Sequence, residues 1–480
     1  MTGQVKSQIF SGIKWNTLGQ IVRQSFSLIV SIILARLLEP EEFGLVAMLI
    51  IFSELANAFI GSGLSASLIQ KKKMSDTECS TIFFFSIVVA SFLYILFFFG
   101  SSYIAAFYRN NNLEVLIKVY ALGFLIRSFE IVPNALFTRQ LDYKKINVIQ
   151  TVSSISSGVI AILMAYLGYG PYSLVGQAIT LSMVSVIMSH LLCDWQPKLI
   201  FNVSRFKEMY SFGVRIFFVS LLDKIFNSID NVIIGKLFGA GALGFYNRGK
   251  STKDIPVRNF VNIATSIVFP IFSRIETTQE LRQIFNRYLG LISYLICPVM
   301  LILITTSDSV IYILFSEKWI PASSYLKLFC LLGITIPLNN IMAYTIMSRG
   351  DHKKYLKVEL VKKAIVLTGM VLGLFFDIYI FLLILVITHY VGLMIIANAL
   401  TKYLENRLFD IMRIVLPSLL LSIIATIPVY ILGEMSIWTS LYVKLIVQVA
   451  LGICGYVLLS VLFGVNQLKY LSQEFRRRLG

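Results

Sequence analysis

The chain has 480 residues, of which 57% are hydrophobic and only 14% are charged, and its formal net charge at pH 7 is +17. Soluble domains carry about 25% charged residues, so this composition excludes a soluble globular enzyme. Uncharged runs such as residues 81–100 have the length of roughly 20 residues with which a helix crosses a bilayer. Because backbone groups in lipid must be hydrogen-bonded within the chain, the composition predicts an all-α integral membrane protein.

Fourteen apolar segments follow one another along the chain, and we predict that each is a transmembrane helix. Residues 1–16 lack the pattern of a cleaved signal, so we expect the first segment to be retained. The connections are too short for a separate catalytic domain. The segments lie at approximately 13–35, 43–68, 81–107, 113–136, 146–168, 171–192, 208–237, 242–272, 284–306, 324–348, 355–376, 379–400, 411–432 and 441–465.

The connections on alternate sides of these segments differ sharply in charge. One side carries most of the loop cations, from Lys6 and Lys14 through residues 71–73 to the basic tail at 476–478. The other side offers four cations, which are Arg36, Arg109, Lys118 and Lys318. The positive-inside rule therefore predicts a multi-pass protein of the cell inner membrane with both termini in the cytoplasm. Because the cations are spread over many loops, nucleic acid is not a predicted partner.

The sequence partly repeats itself at an offset of about 200 residues. The stretch ILARLLEPEEFG at 33–44 aligns with IIGKLFGAGALG at 233–244, so Gly44 falls on Gly244. We predict two six-helix bundles, 1–200 and 201–405, related by a pseudo-two-fold axis along the membrane normal. A terminal helix pair and a basic cytoplasmic tail follow at 406–480.

Neither a nucleotide-binding motif nor a metal or disulfide motif is predicted for this chain. The stretch GFYNRGKS at 244–251 matches the phosphate-binding pattern G-x-x-x-x-G-K-[ST], but it follows a membrane helix rather than a β-strand. Gly244 is better explained as a repeated turn residue, and we expect Gly249 to serve helix packing. The five cysteines and three histidines are scattered, so we expect no metal site and no disulfide framework.

Charged residues inside the apolar segments are the candidate functional residues, because a charge in hydrocarbon normally faces a bundle interior or a water-filled cavity. Polar residues at spacings of three to four make one stripe on span seven, and an offset of 200 places a second stripe on span one. We expect these stripes to face each other across a wet cleft that attracts an anion. The predicted cationic cavity consists of Arg23, Arg215, Lys224, Lys250, Lys253 and Arg258.

The same residues have plainer interpretations. Asp223 and Lys224 would pair with neighbours and merely lock the bundle. Lys362 and Lys363 would snorkel to the cytoplasmic interface.

Several stretches resemble the Wzx-type polysaccharide flippases of the multidrug/oligosaccharidyl-lipid/polysaccharide exporter superfamily. They are ARLLEPEEFGLVAM at 35–48, GLSASLIQKK at 63–72, IDNVIIGKLFGAGALGFYNRGKSTKDIPVRNF at 229–260 and FPIFSR at 269–274. The resemblance extends over most of the chain but is densest in spans one, two, seven and eight, and the last two spans match by pattern only.

The resemblance implies a function without enzymatic chemistry. Members of this family move undecaprenyl-pyrophosphate-linked oligosaccharide to the periplasmic leaflet by alternating access, for O-antigen, capsule or exopolysaccharide assembly. The transport is understood to be driven by an ion gradient rather than by a cofactor. We take Asp223 and Asp230 as candidates for coupling to H⁺ or Na⁺. The implied partners are the lipid-linked cargo, a polysaccharide polymerase and a chain-length regulator, and we expect a monomer.

Three alternatives stay open at this point. A multidrug-type cation antiporter normally has twelve spans and fewer cavity cations. A lipid II flippase has fourteen spans and a cationic cavity, but the densest matches do not favour it. A membrane glycosyltransferase or polymerase normally needs a sizeable outer loop with catalytic groups, and the outer loops here are short.

The charge bias makes a testable prediction about topology. A periplasmic phosphatase reporter fused after residue 480 should be inactive, because the carboxyl terminus is expected in the cytoplasm. The same reporter inserted after Gly168, in an outer connection, should be active. An active reporter at residue 480 would refute the predicted orientation.

Overall fold

The computed structural model describes residues 3–71, 74–435, 438, 440–465, 467–468 and 470. Within helices, the side chains at 3–18, 21, 62, 212, 215–216, 263 and 266–267 are outside this description. The described residues form helices and contain no strand. They divide into two compact units, which comprise Met1–Gly244 and Phe245–Gly480.

The first unit is built from seven helices and part of an eighth. Their bounds are α1 Gly3–Leu37, α2 Pro40–Gln70, α3 Asp76–Tyr108, α4 Asn112–Ser128, α5 Ile131–Arg139, α6 Tyr143–Tyr166, α7 Tyr172–Leu192 and α8 Val203–Ile263. Helix α8 is interrupted at Gly239, whose φ of 83° and ψ of 178° are not helical. Since only glycine adopts this conformation at low cost, Gly239 divides α8 into two arms.

The second unit contains the end of α8 and the helices that follow it. A π-helical turn at Ala264–Val268 leads into α9 Phe269–Phe272. The remaining elements are α10 Thr278–Thr305, α11 Ser307–Phe315, a 3₁₀ turn Glu317–Trp319, α12 Pro321–Ser348, α13 His352–Gly373, α14 Ile378–Leu404, α15 Leu408–Glu434 and α16 Leu441–Leu462. Helix α10 packs on α12 and α15, and α14 packs on α12 and α13.

The predicted all-helical membrane class is confirmed, and every predicted apolar segment lies on helix. Nine helices in the described part of the chain are long and apolar enough to cross a membrane. The fourth predicted segment is divided between α4 and α5, and the short helix α11 lies in a connection that the hydropathy pattern left unassigned. The count of fourteen crossings and the domain boundaries at 200 and 405 stay predictions.

The repeated turns of the first unit pack against each other reciprocally. A Cβ atom on Gly44 would overlap the backbone of Ala240, and one on Gly244 would overlap the backbone of Pro40. At the offset of 200, Ala240 corresponds to Pro40 and Gly244 to Gly44, so each turn presents its glycine to the other turn. Contacts exchanged in this way are those expected of two elements related by a two-fold axis. Gly244 is therefore a packing residue of this crossing.

A side chain at Gly44, where the two turns meet, is expected to destabilise the protein. Gly44→Ala should lower the free energy of unfolding by about 2 kcal/mol or more, because the backbone of Ala240 has no alternative position without moving a helix. Thermal unfolding of the purified protein in detergent measures the effect.

Gly123→Ala is the matched control, since a Cβ atom on this α4 residue meets nothing within 4 Å. Alanine there should leave stability unchanged or raise it slightly, because alanine has the higher helix propensity. Equal effects of the two substitutions would contradict the close crossing.

Candidate functional site

Arg23 is held within the first unit by a partner on another helix. Its Nη1 atom donates a hydrogen bond of 2.7 Å to Oδ1 of Asn147, near the start of α6. Asn147 is itself oriented by donating to the Tyr143 carbonyl at 2.7 Å. A Cβ atom on Gly19 would lie 2.9 Å from Asn147 Oδ1 and 3.1 Å from Arg23 Nη1, so glycine leaves room for the pair. The guanidinium is thus half-buried in a defined place.

The first arm of α8 carries the other candidates of this unit. The Nζ atom of Lys224 lies 3.1 Å from Oε2 of Glu54 on α2, and both side chains are partly exposed. Asp223 is exposed, whereas Asp230 is buried and accepts the Asn231 N–H at 2.9 Å. The plainer interpretation, in which Lys224 links two helices, therefore has a named partner in Glu54. Arg215 lies on α8, but its side chain is outside the described residues.

The second arm of α8 buries a lysine in the second unit. Lys253 is only 4% exposed, and its Nζ atom lies 2.6 Å from Asp254 Oδ1. The other carboxylate oxygen of Asp254 is 3.8 Å from Arg258 Nη2, and the Arg258 side chain is 73% exposed. The Nζ atom of Lys250 lies 5.6 Å from the centre of the Tyr246 ring. One carboxylate therefore serves a buried and an exposed cation.

Lys362, a largely buried lysine of the second unit, does not lie where the sequence predicted it. The Lys362 side chain is 14% exposed, and its Nζ atom lies 2.6 Å from Glu359 Oε1. It also donates to Asn339 Oδ1 on α12 at 2.5 Å. The snorkelling interpretation of Lys362 is therefore wrong, because its ammonium is bound between α12 and α13 rather than extended to an interface.

His389 on α14 belongs to the same region. Its Nδ1 atom is hydrogen-bonded to the Leu385 carbonyl at 2.8 Å. Lys362, Lys253 and Lys250 all act on its ring electrostatically. Helices α8, α13 and α14 thus bring three ammonium groups and an imidazole near one another. We call Lys250, Lys253 and Lys362 the cationic cluster.

Small residues make room for this cluster. A Cβ atom on Gly333 would lie 3.2 Å from Lys253 Cγ, and one on Gly392 would lie 3.4 Å from Lys362 Cγ. Gly249 likewise brings α8 close to α12, where its Cβ would be 3.0 Å from the Leu326 nitrogen. The expected packing role of Gly249 is therefore confirmed.

The Arg248 side chain is buried against aromatic rings. Its guanidinium carbon lies 4.5 Å from the Phe315 ring centre and 4.7 Å from that of Trp319, and the residue is 6% exposed. Cation–π contacts of this kind are strongest when water is excluded. Arg248 therefore links α8 to α11 and the 3₁₀ turn.

The described residues hold no group of three His, Cys, Asp or Glu that could bind a metal ion. The described residues carry positive charge in both units: Arg23 and Lys224 in the first unit, and the cationic cluster in the second. Cations inside apolar helices attract anions strongly, because little water screens them.

Comparison with known proteins agrees with this picture. The model of a family described as polysaccharide biosynthesis protein matches residues 33–324. The lipopolysaccharide biosynthesis protein WzxC of Escherichia coli K12 is 23% identical over 376 residues, which are 77% of this chain and 76% of that protein. The teichuronic acid biosynthesis protein TuaB of Bacillus subtilis is 25% identical over 349 residues, or 72% of each chain.

The fold is also found among solved structures of transporters. The lipid II flippase MurJ in an inward closed conformation has a TM-score of 0.76 at 14% identity, covering 94% of this chain and 99% of that one. An inward-facing multidrug transporter of the MATE family has a TM-score of 0.58 at 14% identity, covering 82% and 99%. These solved structures show the fold, and the sequence relatives are named as polysaccharide biosynthesis and transport proteins, in agreement with the predicted non-enzymatic role. The chain belongs to the polysaccharide biosynthesis protein family of multi-pass membrane proteins.

Proposed function

We propose that this protein moves undecaprenyl-pyrophosphate-linked oligosaccharide units from the cytoplasmic to the periplasmic leaflet of the inner membrane. The units would be assembled into O-antigen, capsule or exopolysaccharide. The observation that carries the proposal is the cationic cluster, in which Lys253 is buried and Lys362 is largely buried within the helices of the second unit. Family membership supplies the class of cargo.

The chemistry of this cargo explains the need for buried cations. A pyrophosphate in hydrocarbon would lose its hydration, at a cost of many kcal/mol. Ammonium and guanidinium groups compensate for that loss, and guanidinium binds phosphate oxygens in pairs. Lys250 and Arg258 are the best placed for contact, since Lys250 is half-buried and Arg258 is exposed.

The transport cycle is proposed to be alternating access of two six-helix bundles, with fourteen spans in all. The reciprocal packing of the Gly44 and Gly244 turns supports the pseudo-two-fold relation of the bundles. The driving force would be an ion gradient, with Asp223 and Asp230 as the carboxylates that carry H⁺ or Na⁺. Both termini would lie in the cytoplasm, and a polymerase and a chain-length regulator would receive the product.

A second candidate function is the flipping of lipid II. The fold likeness to the MurJ flippase, with its TM-score of 0.76, favours this candidate. The sequence relatives favour surface polysaccharide, among them the succinoglycan biosynthesis transport protein ExoT of Rhizobium meliloti, which is 22% identical over 347 residues. Both cargoes present a pyrophosphate and a glycan, so the same cations would serve either.

Removing the accessible cations tests the proposal in cells that lack the chromosomal copy of the gene. Lys250→Ala combined with Arg258→Ala should lower surface polysaccharide by about tenfold or more, because two charges that face the pyrophosphate are lost. The lipid-linked oligosaccharide should accumulate in the same cells. Immunoblotting for expression and extraction of the lipid-linked fraction give the two readouts.

The matched control is Arg282→Ala combined with Lys357→Ala, which removes the same charge from two exposed positions. Normal polysaccharide and normal intermediate in the Lys250→Ala and Arg258→Ala cells would refute the assigned role. Accumulation of lipid II instead of the polysaccharide precursor would favour the second candidate.

Variants of the Lys362–Glu359 pair distinguish a structural role of Lys362 from a role in transport. Lys362→Met should lower the free energy of unfolding by about 3–5 kcal/mol, because Glu359 is left as an uncompensated, largely buried charge. Lys362→Met combined with Glu359→Gln should recover most of that stability. Transport should remain impaired in the double variant, since the ammonium of the cationic cluster is missing.

Thermal unfolding and the polysaccharide assay measure the two effects separately. Lys357→Met, one turn or more away on an exposed face of α13, should change neither. Full recovery of transport in the double variant would mean that Lys362 only supports the fold.

A further inference from the structure

A groove of about 750 Å³ lies in the second unit, away from the cationic cluster. It is formed by α10, α15 and the chain that follows α16, and it shares no residue with the cluster. The groove has an apolar part along α15 and a polar part near the start of α15. Its two parts point to an amphiphilic ligand.

The chain after α16 folds back to close one side of the groove. Helix α16 ends at Leu462, Gly464 follows with a φ of 61°, and the Val465 N–H donates to the Ser460 carbonyl at 3.0 Å. This turn brings Gln467 against α10, where a Cβ atom on Gly290 would lie 2.7 Å from its Nε2 atom. The groove is therefore built by specific contacts and is not a gap between loosely packed helices.

The apolar part of the groove faces outward. Leu416, Leu420 and Ile424 on α15 are 46%, 48% and 48% exposed, and Phe463 is 68% exposed. In a membrane helix such exposure is to lipid, and spacings of four residues place the three α15 side chains on one line. This line is a surface on which a hydrocarbon chain can lie.

The polar part of the groove is cationic. It contains Arg287 on α10 and Arg413 on α15, and no acidic side chain is among the described residues that line the groove. The guanidinium of Arg287 lies 4.8 Å from the Tyr470 ring centre, which positions it at the rim. Asn286 lines the same end, and its buried Oδ1 atom has no hydrogen-bond partner among the described residues. This end thus combines two phosphate-binding groups with an acceptor for a hydroxyl group.

The length of the groove selects the class of lipid. Arg413 and Ile424 are eleven positions apart, which is roughly 16 Å along a helix. This distance is about half of the roughly 30 Å hydrocarbon core, so it matches a chain confined to one leaflet. An undecaprenyl chain is more than twice as long as an ordinary acyl chain and would not be accommodated along this line.

We propose that this groove binds an anionic glycerophospholipid of the bilayer. The phosphate lies between Arg287 and Arg413, a headgroup hydroxyl donates to Asn286 Oδ1, and one acyl chain follows Leu416, Leu420 and Ile424. Basic pockets between membrane helices on the cytoplasmic side are sites of this kind. The lipid holds the α15–α16 pair against α10. The inference does not depend on the proposed cargo.

The full-length protein, purified in neutral detergent, allows a direct test. Added phosphatidylglycerol should raise the unfolding temperature by several degrees and bind with a measurable dissociation constant. Arg287→Gln combined with Arg413→Gln should weaken that binding roughly tenfold or more. Arg282→Gln combined with Lys357→Gln removes the same charge outside the groove and should bind phosphatidylglycerol as the unchanged protein does.

Leu420→Trp provides a second variant that leaves the charge intact. It should fill the apolar part of the groove and weaken binding of phosphatidylglycerol, although both arginines are still present. If only one arginine can be replaced without loss of folding, Arg413→Gln alone should weaken the binding severalfold.

Three further probes identify other sources of the effect. Equal stabilisation by phosphatidylcholine with the same chains would show that charge is irrelevant, and the proposal would be wrong. Equal stabilisation by inorganic phosphate at the same concentration would show that the acyl chain does not contribute to binding, and the proposal would be wrong. Undecaprenyl phosphate that competes with phosphatidylglycerol and binds more tightly would show that the groove serves the cargo instead.

Discussion

The cost of holding a positive charge away from water governs the interior of this protein. Lys253 is buried and pairs with Asp254, whereas Lys362 is bound by Glu359 and Asn339. Each ammonium group thus has an anionic or amide partner on its own or a neighbouring helix. An unpaired buried charge would cost several kcal/mol, so these partners stabilise the two lysines, and the bond to Asn339 also joins α13 to α12. In the proposed function, the same charges would attract the anionic cargo.

Close backbone contacts are the second requirement of the fold. Membrane helices gain no hydrophobic energy from each other, so van der Waals contact between small residues takes a larger share. At Gly44 and Gly244 the absence of a side chain lets two turns meet through their backbones. The apparent nucleotide-binding motif at 244–251 is explained by this requirement, since Gly244 and Gly249 both serve packing. Arg248 in the same stretch is enclosed by Phe315 and Trp319.

Charge and packing together fit a transporter for an amphiphilic anion. The protein shares its fold with flippases and multidrug transporters, and in the proposed function the cationic cluster would attract a phosphate-bearing ligand. The groove between α10 and α15 likewise combines cationic and apolar side chains. Lipid phosphate is therefore the chemistry that both places are suited to recognise.

The amino-acid sequence by itself determined the helices and the class of protein, because apolar length and internal backbone hydrogen bonding are local properties. It also predicted the candidates Lys250 and Lys253, since charges inside an apolar segment are visible without a fold. Only the tertiary structure brought Lys362 and His389 to these residues, and only it enclosed Arg248 between two rings. Such contacts join helices that are distant in sequence, and the rotation of each helix about its axis, which decides them, is set by packing.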